Sequence, residues 1–436
     1  MKAVVLHEQG YILRHEMLAF HAQHPVAIVQ VEIDTAAREM PEQQIHQFLR
    51  LRGFLHIGLK YFYHLSCVYR LSSQGWKPTG YKFAAVFGRL RGVYPTILGV
   101  DRDSGSAYIY FMKRISILVP KGAILGSIEG PRQVFTEVNH ALVGMGKAPL
   151  FQVQLAGLSK ETPVCDGRYM VYTDRLLHDI EKTDLVIIPA LEGDLEKAVA
   201  ENQDLIPWIV QQYKGGAEIA SLCVGAFLLA STGLIKKKQC ATHWMAANDF
   251  RKMFPDVVLV KDKIITDENG IYSSGGAFSY LNLILYLIEK YAGRDVAVFC
   301  SKAFQIDYER RSQSPFTMFQ GQKEHEDEPV KQTQEYIEKN VQEKMTVDQL
   351  AAMFAMGRRN LERRFKKATA NTVVEYIQRV KIEAAKMSFE TSRENVNEVM
   401  YKVGYTDTKA FRTTFKKITG LSPVQYRSKY QRATAI

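Results

Sequence analysis

The chain has 436 residues, 46% of them hydrophobic, and a formal net charge of +11; this is enough for two or three domains with filled cores. Its five cysteines, Cys67, Cys165, Cys223, Cys240 and Cys300, are scattered, odd in number and without C-x-x-C spacing, which excludes a disulfide framework and a cysteine-based metal site and favours a reducing compartment. No apolar run of about eighteen residues is present, and the opening MKAVVLHEQGYILRHEM lacks a signal-peptide core, so no membrane partner is expected and the cytoplasm is the default location.

Residues 1–111 carry seven of the eleven histidines and few clean periodic patterns. The turn cluster DRDSGSA at 101–107 marks a break. MKRISILVP at 112–120 then reads as the first strand of a domain, with an apolar run that ends in Pro. Two readings of 1–111 stay open: a small auxiliary domain, or a gene-model extension ahead of a start at Met112.

From 112 to 311 the pattern is α/β. Strands are expected at 115–120, 151–158, 183–190, 217–223, 257–262 and 271–276, and helices at about 130–144, 196–213, 225–233, 244–253 and 278–291. Apolar β-branched runs alternating with helices indicate a mostly parallel sheet covered on both faces. Such sheets carry their sites at the carboxyl ends of the strands. The polar, Pro-containing segment 312–332 reads as an interdomain linker.

In GGAEIASLCVGAFLLASTGL (215–234) a strand ends at Cys223 and a helix rich in small residues begins at once. Gly225 and Ala226 permit a sharp strand-to-helix turn, the geometry of a nucleophile elbow with Cys in place of Ser. A thiol at a helix N-terminus has a stabilised thiolate, but a nucleophile also needs a base, and Val224 follows the Cys. His243 and Trp244 are expected to line a pocket or to pack. The plainer reading is a small buried Cys at a tight turn.

The helical end of the chain contains a repeat. MTVDQLAAMFAMGRRNLERRFKK is echoed by NVNEVMYKVGYTDTKAFRTTFKK, with Phe365 and Phe415 in the same place 50 residues apart. Each copy reads as an apolar helix, a turn with Gly, and a second helix. Residues 331–430 hold 20 Lys or Arg against 11 Asp or Glu, a net of +9, so most of the excess charge sits with the repeat, where it favours a polyanion. In the first copy Val347, Leu350, Ala351 and Phe354 form the apolar face, Met356 and Gly357 the turn, and Leu361 and Phe365 face inward. Arg358, Arg359, Asn360 and Arg363 then face outward, where the start of a recognition helix reaches base edges, and Lys366 and Lys367 suit phosphates. In the second copy Thr406 is the expected N-cap. Ala410, Phe411 and Phe415 face inward, Thr408, Lys409, Arg412 and Thr413 outward, and Lys416 and Lys417 suit phosphates. Between the copies, 372–392 is expected to be one rigid helix with Val373, Tyr376, Ile377, Val380, Ala384, Ala385 and Met387 buried. Two major grooves on one face of a duplex lie about 34 Å apart, so one monomer can read both. A solvated charged surface is the plain alternative for each outward residue.

Two families are resembled. Segments 115–135, 184–193, 216–235, CATHW at 240–244 and SSGGA at 273–277 resemble the DJ-1/PfpI, or class I glutamine amidotransferase-like, fold, in the form found in GlxA-type regulators. Active members have His after the Cys and an acid from the first strand–helix loop. Here Val224 and Ser127 stand there, with Glu129 two residues on. The resemblance therefore implies a catalytically inactive ligand-sensing or dimerisation domain, with no catalytic residue, and with Glu129, Cys223, His243, Ser274 and Gly275 as pocket candidates. Segments 361–387 and 403–427 resemble the AraC/XylS-type DNA-binding domain, expected over 333–430. Gly357 stands where a Ser cap is usual, Ala370 where Gly is, and Lys381 where Arg is.

The fold expected is thus α/β, a DJ-1/PfpI-like mostly parallel sheet sandwich, followed by an all-α domain with two helix-turn-helix units. The function expected is a sequence-specific transcription regulator, an activator, and not an enzyme. The alternative is a Cys-dependent hydrolase or glyoxalase-like enzyme with a DNA-binding domain. Double-stranded DNA, a small-molecule effector, a second copy in a homodimer and RNA polymerase are the expected partners, with no cofactor and no metal.

Overall fold

The computed structural model describes residues 112–310 and 312–431, together with the backbone of six strands ahead of them. Those strands, Lys2–Leu6, Ile12–Met17, Val26–Ile33, Ser66–Ser72, Thr96–Val100 and Ala107–Phe111, join in one sheet. Both readings of 1–111 fall largely outside the described residues. Two compact units divide the chain between Arg311 and Ser312.

A seven-stranded sheet organises the first unit. Its strands are β1 (Lys113–Leu118), β2 (Phe151–Gly157), β5 (Arg175–Leu176), β6 (Leu185–Ile188), β7 (Glu218–Ser221), β10 (Ile265–Asp267) and β11 (Ile271–Ser274). They lie in the order β5-β2-β1-β6-β7-β11-β10, all neighbours parallel except β10 against β11. β3 (Glu161–Val164) and β4 (Tyr169–Tyr172) form a separate hairpin. β8 (Gln239–Cys240) pairs with β9 (Val258–Leu259).

Strand side chains alternate between two cores, as the pleat requires. Ile115, Ile117 and Ile187 pack under α1 (Leu125–Gly144), α6 (Tyr280–Ala292) and α7 (Arg294–Ala303). Leu118, Val186, Ile188 and Ile219 pack under the opposite layer. That layer is α2 (Leu195–Glu201), α3 (Ile206–Lys214), α4 (Ala226–Ser231) and α5 (Ala247–Met253). Burial on both faces explains why these strands read as unbroken apolar runs.

Several boundaries differ from the sequence reading. The stretch 257–262 contributes only β9, off the main sheet, because Pro255 and a turn precede it and Val258 stays exposed. The helix expected at 196–213 is two. Asn202 interrupts it by bonding the Lys121 backbone from both ends of its amide, at 2.8 and 2.9 Å, and Pro207 opens the second helix.

The second unit holds α8 (Glu328–Lys339), α9 (Val347–Met353), α10 (Arg358–Thr369), α11 (Val373–Thr391), α12 (Val396–Lys402), α13 (Thr408–Thr419) and α14 (Pro423–Tyr430). The repeat is visible atom by atom. Thr369 caps its own helix end, donating to the Phe365 carbonyl (2.8 Å) and accepting from the Asn371 N–H (3.1 Å). Thr419 does the same with Phe415 (2.9 Å) and Leu421 (3.2 Å). Capping boxes at Thr372 and Ser422 start the next helix in each copy.

Segment 312–332 is not a free linker. Gln313, Ser314 and Val330 are buried, α8 begins within the segment, and Phe319 packs on the core of the first helix-turn-helix. Its polar composition hides this, because two apolar residues, Val330 and Phe319, are joined by hydrogen bonds from polar neighbours in holding it.

Candidate nucleic-acid interface

The first helix-turn-helix is α9 and α10. α9 starts in a capping box, Thr346 with Gln349, and buries Val347, Leu350 and Ala351. The turn is made by Ala355, at φ 52°, rather than by Met356 and Gly357. Gly357 is the N-cap of α10 and supplies no side-chain bond. Leu361 and Phe365 are fully buried, so Arg358, Arg359, Asn360, Arg363, Lys366 and Lys367 are left on the exposed face. Gly357, Arg359, Asn360 and Arg363 line one shallow, open concavity. Arg363 donates to Asn360 Oδ1 at 3.0 Å. Arg358 is engaged elsewhere, at 3.0 Å from Asp348 and 3.3 Å from Glu362.

The second unit is α12 and α13. Its turn residue is Gly404, at φ 73°. A Cβ there would collide with the Gln342 carbonyl and lie 2.6 Å from Lys381 Nζ. The N-cap of α13 is Asp407, not Thr406: its carboxylate accepts from the N–H groups of Lys409 (2.7 Å) and Ala410 (3.2 Å). Phe411 and Phe415 are buried. Ala410, expected inward, is exposed, because the inward stripe runs through Phe411, Phe415 and Thr419. Lys409, Arg412, Thr413, Lys416 and Lys417 are exposed and Thr408 half-buried.

α11 joins the two helix-turn-helix pairs. Val373, Tyr376, Ile377, Val380 and Ala385 are buried as expected and Ala384 half so, but Met387 is exposed. The seam is completed by Ile382, Phe389 and two lysines that sequence reasoning did not place there. Lys381 Nζ donates to the carbonyls of Val341 (2.7 Å), Glu343 (2.9 Å) and Val403 (3.0 Å). Burial lowers its pKa. Lys386 Nζ donates to the Thr317 carbonyl at 2.6 Å and pairs with Glu383 at 2.8 Å. Arg364 was also missed: it holds Asp327 with two bonds, at 2.7 and 2.9 Å. The only sequence signal for it is an Arg one position off the outward stripe.

In the first unit, the Cys223 turn has the elbow geometry. Cys223 sits at φ 54°, a conformation most residues avoid. Gly225 must lack a side chain, since a Cβ would lie 2.7 Å from the Ile188 carbonyl and nearer still to that of Pro189. Cys223 N–H donates to Ser274 Oγ (3.3 Å), and Thr242 Oγ1 donates to the Cys223 carbonyl (3.1 Å). The thiol is buried, and burial pushes its pKa up to about 11. Ser127, in the place of the acid, is buried and tied to the backbone: it donates to the Ile124 carbonyl (2.6 Å) and accepts from Ala190 N–H (3.0 Å). Glu129 is not brought to the thiol. It lies on the exposed face of α1, in a doubly bonded pair with Arg132 at 2.6 Å. His243 Nδ1 accepts from Met245 N–H at 3.2 Å, its ring stacks on Trp244, and burial lowers its pKa. Gly275 N–H donates to the Ile264 carbonyl at 2.8 Å. Ser274 therefore touches the elbow directly, whereas Gly275 holds the loop beside it.

Comparison with known proteins follows this division. Residues 113–290 match the DJ-1/PfpI family and residues 350–429 match a family described as a helix-turn-helix domain. The chain is 25% identical over 229 residues to the HTH-type transcriptional regulator GbdR of Pseudomonas aeruginosa, covering 50% of this chain and 59% of GbdR. It is 21% identical over 213 residues to the HTH-type transcriptional regulator GlxA of Rhizobium meliloti, covering 49% of this chain and 65% of GlxA. The chain thus spans less than two thirds of either relative. Drosophila melanogaster DJ-1beta, a crystal structure, is 20% identical at a TM-score of 0.37, over 45% of this chain and 100% of that one. Among the described residues no helix is long and apolar enough to cross a membrane. The chain thus joins a segment that matches the DJ-1/PfpI family to one that matches a helix-turn-helix domain, and it is similar to HTH-type transcriptional regulators that include GlxA.

Proposed function

We propose that this chain is a sequence-specific transcription regulator that reads two adjacent major grooves of double-stranded DNA with α10 and α13. The observation that carries the reading is the fifty-residue repeat of recognition helices on one rigid connector, each with a Phe locked inward and Lys or Arg outward. Base contacts fall to Arg359, Asn360, Arg363, Thr408, Lys409, Arg412 and Thr413. Lys366, Lys367, Lys416 and Lys417 take phosphates. Arg358 has the weakest claim, because two carboxylates already hold it.

The DJ-1/PfpI domain serves this function as a sensor or dimerisation module without catalysis. A thiol raised to about 11 holds little thiolate, and Val224 and a backbone-bonded Ser127 stand where active members of the fold carry His and an acid. Cys223, His243 and Ser274 then mark the pocket in which a small effector would sit. Activation through RNA polymerase, a homodimer and a cytoplasmic location complete the proposal. Genome-wide mapping of bound sites tests it: the expected result is a shared motif with two half-sites one helical turn apart. Binding spread evenly over the genome would remove sequence-specific regulation.

A further inference from the structure

The segment that leads out of the sensor domain does not hang between domains. It runs across the helical unit and touches both helix-turn-helix modules. At its start, Ser314 and Pro315 lie against Gly420 at the end of α13, and Tyr430 OH donates to the Pro315 carbonyl at 3.2 Å. Next, α11 offers a donor and an acceptor to the segment's backbone. Lys386 Nζ donates to the Thr317 carbonyl at 2.6 Å, and Glu383 Oε2 accepts from Phe319 N–H at 3.1 Å. Lys386 is only 3% exposed, and its ammonium also lies 5.8 Å from the centre of the Tyr426 ring. The Phe319 ring then packs edge-on against Tyr376, 5.1 Å between centroids, inside the core of the first module. Gln322 Oε1 accepts from Asn371 Nδ2 at 2.9 Å. At the far end Asp327 grips Arg364 of α10.

Partner numbers fall from 386 through 383 to 376 on α11, and to 371 just ahead of it, as the segment rises from 317 to 322. The segment therefore lies antiparallel to the connector and bridges the end of one recognition helix to the flank of the other. Two aromatic rings, Phe316 against Tyr430 and Phe319 against Tyr376, and a set of polar pairs hold it.

We propose that residues 313–327 are a docking strap that braces the two helix-turn-helix modules at the spacing DNA requires, and that the sensor domain controls DNA binding by docking or releasing it. The proposal rests on the regulator reading above. The Lys386–Glu383 clamp is its latch, and Ser312, joined directly to the sensor unit, is its handle.

Hydrogen exchange and footprinting on the full chain test it, using a duplex taken from the map of bound sites. Glu383→Gln keeps the side-chain volume and weakens the clamp. The amides of 317–322 should then exchange about tenfold faster, as expected for one charge-assisted hydrogen bond lost, while α10 and α13 stay protected. The footprint should shrink from two adjacent grooves towards one. Phe319→Ala should release the strap further by a separate contact. Faster strap exchange with an unchanged footprint and affinity overturns the bracing role, and so does unchanged strap exchange in both variants. For control by the sensor, a flexible Gly-Ser insert of about eight residues between Arg311 and Ser312 should alter strap exchange in the DNA-free chain. Identical exchange with and without the insert overturns that half. If no sequence-preferring duplex is found, the regulator reading fails, while the insert experiment still decides whether strap and sensor are coupled.

Discussion

Ala370 and Gly420 end the two recognition helices in the same left-handed conformation, at φ 55° and 75°, fifty residues apart. The turn residues repeat the contrast, Ala355 at 52° against Gly404 at 73°. The first module thus places a Cβ twice where the second has none. An L-residue with a side chain in this region costs about 1 kcal/mol relative to Gly. Ala370→Gly should raise stability by about that amount and Gly420→Ala lower it by as much, read from the midpoint of denaturant unfolding. Equal midpoints for wild type and Ala370→Gly would show that the strain is relieved elsewhere.

Lys381 ties this asymmetry together. It reaches the backbone of the loop leading into the first module at Val341 and Glu343, and of the second module at Val403. Lys381→Met keeps the buried stem and strands three carbonyls, at a cost of about 2–3 kcal/mol. Calorimetry should show the helical unit melting earlier while the sheet unit is unchanged. A shift confined to the sheet unit would contradict the assignment.

Much of this was legible in the sequence, and most of the failures share one cause. The apolar strands, the Cys223 elbow and the Phe365–Phe415 repeat are set by local pattern, and burial on both faces of the sheet or one face of a helix preserves that pattern. Most of what escaped reading depends on which polar groups meet, near or far in the chain. Nothing local in the sequence marks Lys386 as buried; its carbonyl comes from Thr317, 69 residues away. Nothing local marks Arg364 as the partner of Asp327. Glu129 looked like a pocket acid, but Arg132 one turn on claims it. Thr406 and Asp407 are both cap-forming types, and only backbone geometry chooses between them.

The Arg364 guanidinium holds the Asp327 carboxyl below its ordinary value of 3.8. A carboxylate depressed in the folded state contributes stability that is complete above its unfolded pKa and is lost as pH falls through the folded one. The helical unit should therefore lose stability below about pH 4, and Asp327→Asn should flatten that part of the curve. An acid limb unaltered in Asp327→Asn would assign the loss to other groups.

Burial places the Cys223 thiol at about 11. At about pH 8 its thiolate fraction is near one in a thousand, and its burial limits access as well. Iodoacetamide should modify it more slowly than free cysteine, with the rate rising only in strong alkali. Labelling faster than free cysteine at neutral pH would revive the enzyme alternative.

Arg358 and Arg412 separate surface charge from recognition. Arg358 opens α10 but is held by Asp348 and Glu362, so moving it onto a base edge requires breaking two ion pairs for one contact. Arg412 is exposed one turn inside α13, and its guanidinium suits guanine. On a mapped site at fixed salt, Arg412→Ala should weaken binding by about 1–3 kcal/mol and relax preference at one base pair. Arg358→Ala should change affinity by less than about 1 kcal/mol, the size of exposed ion pairs. Lys416→Ala should instead weaken all duplexes alike and lower the salt slope by about one. Equal losses of sequence preference in the two Arg variants would place both recognition helices on base edges alike, and the engaged state of Arg358 would then belong only to the DNA-free protein.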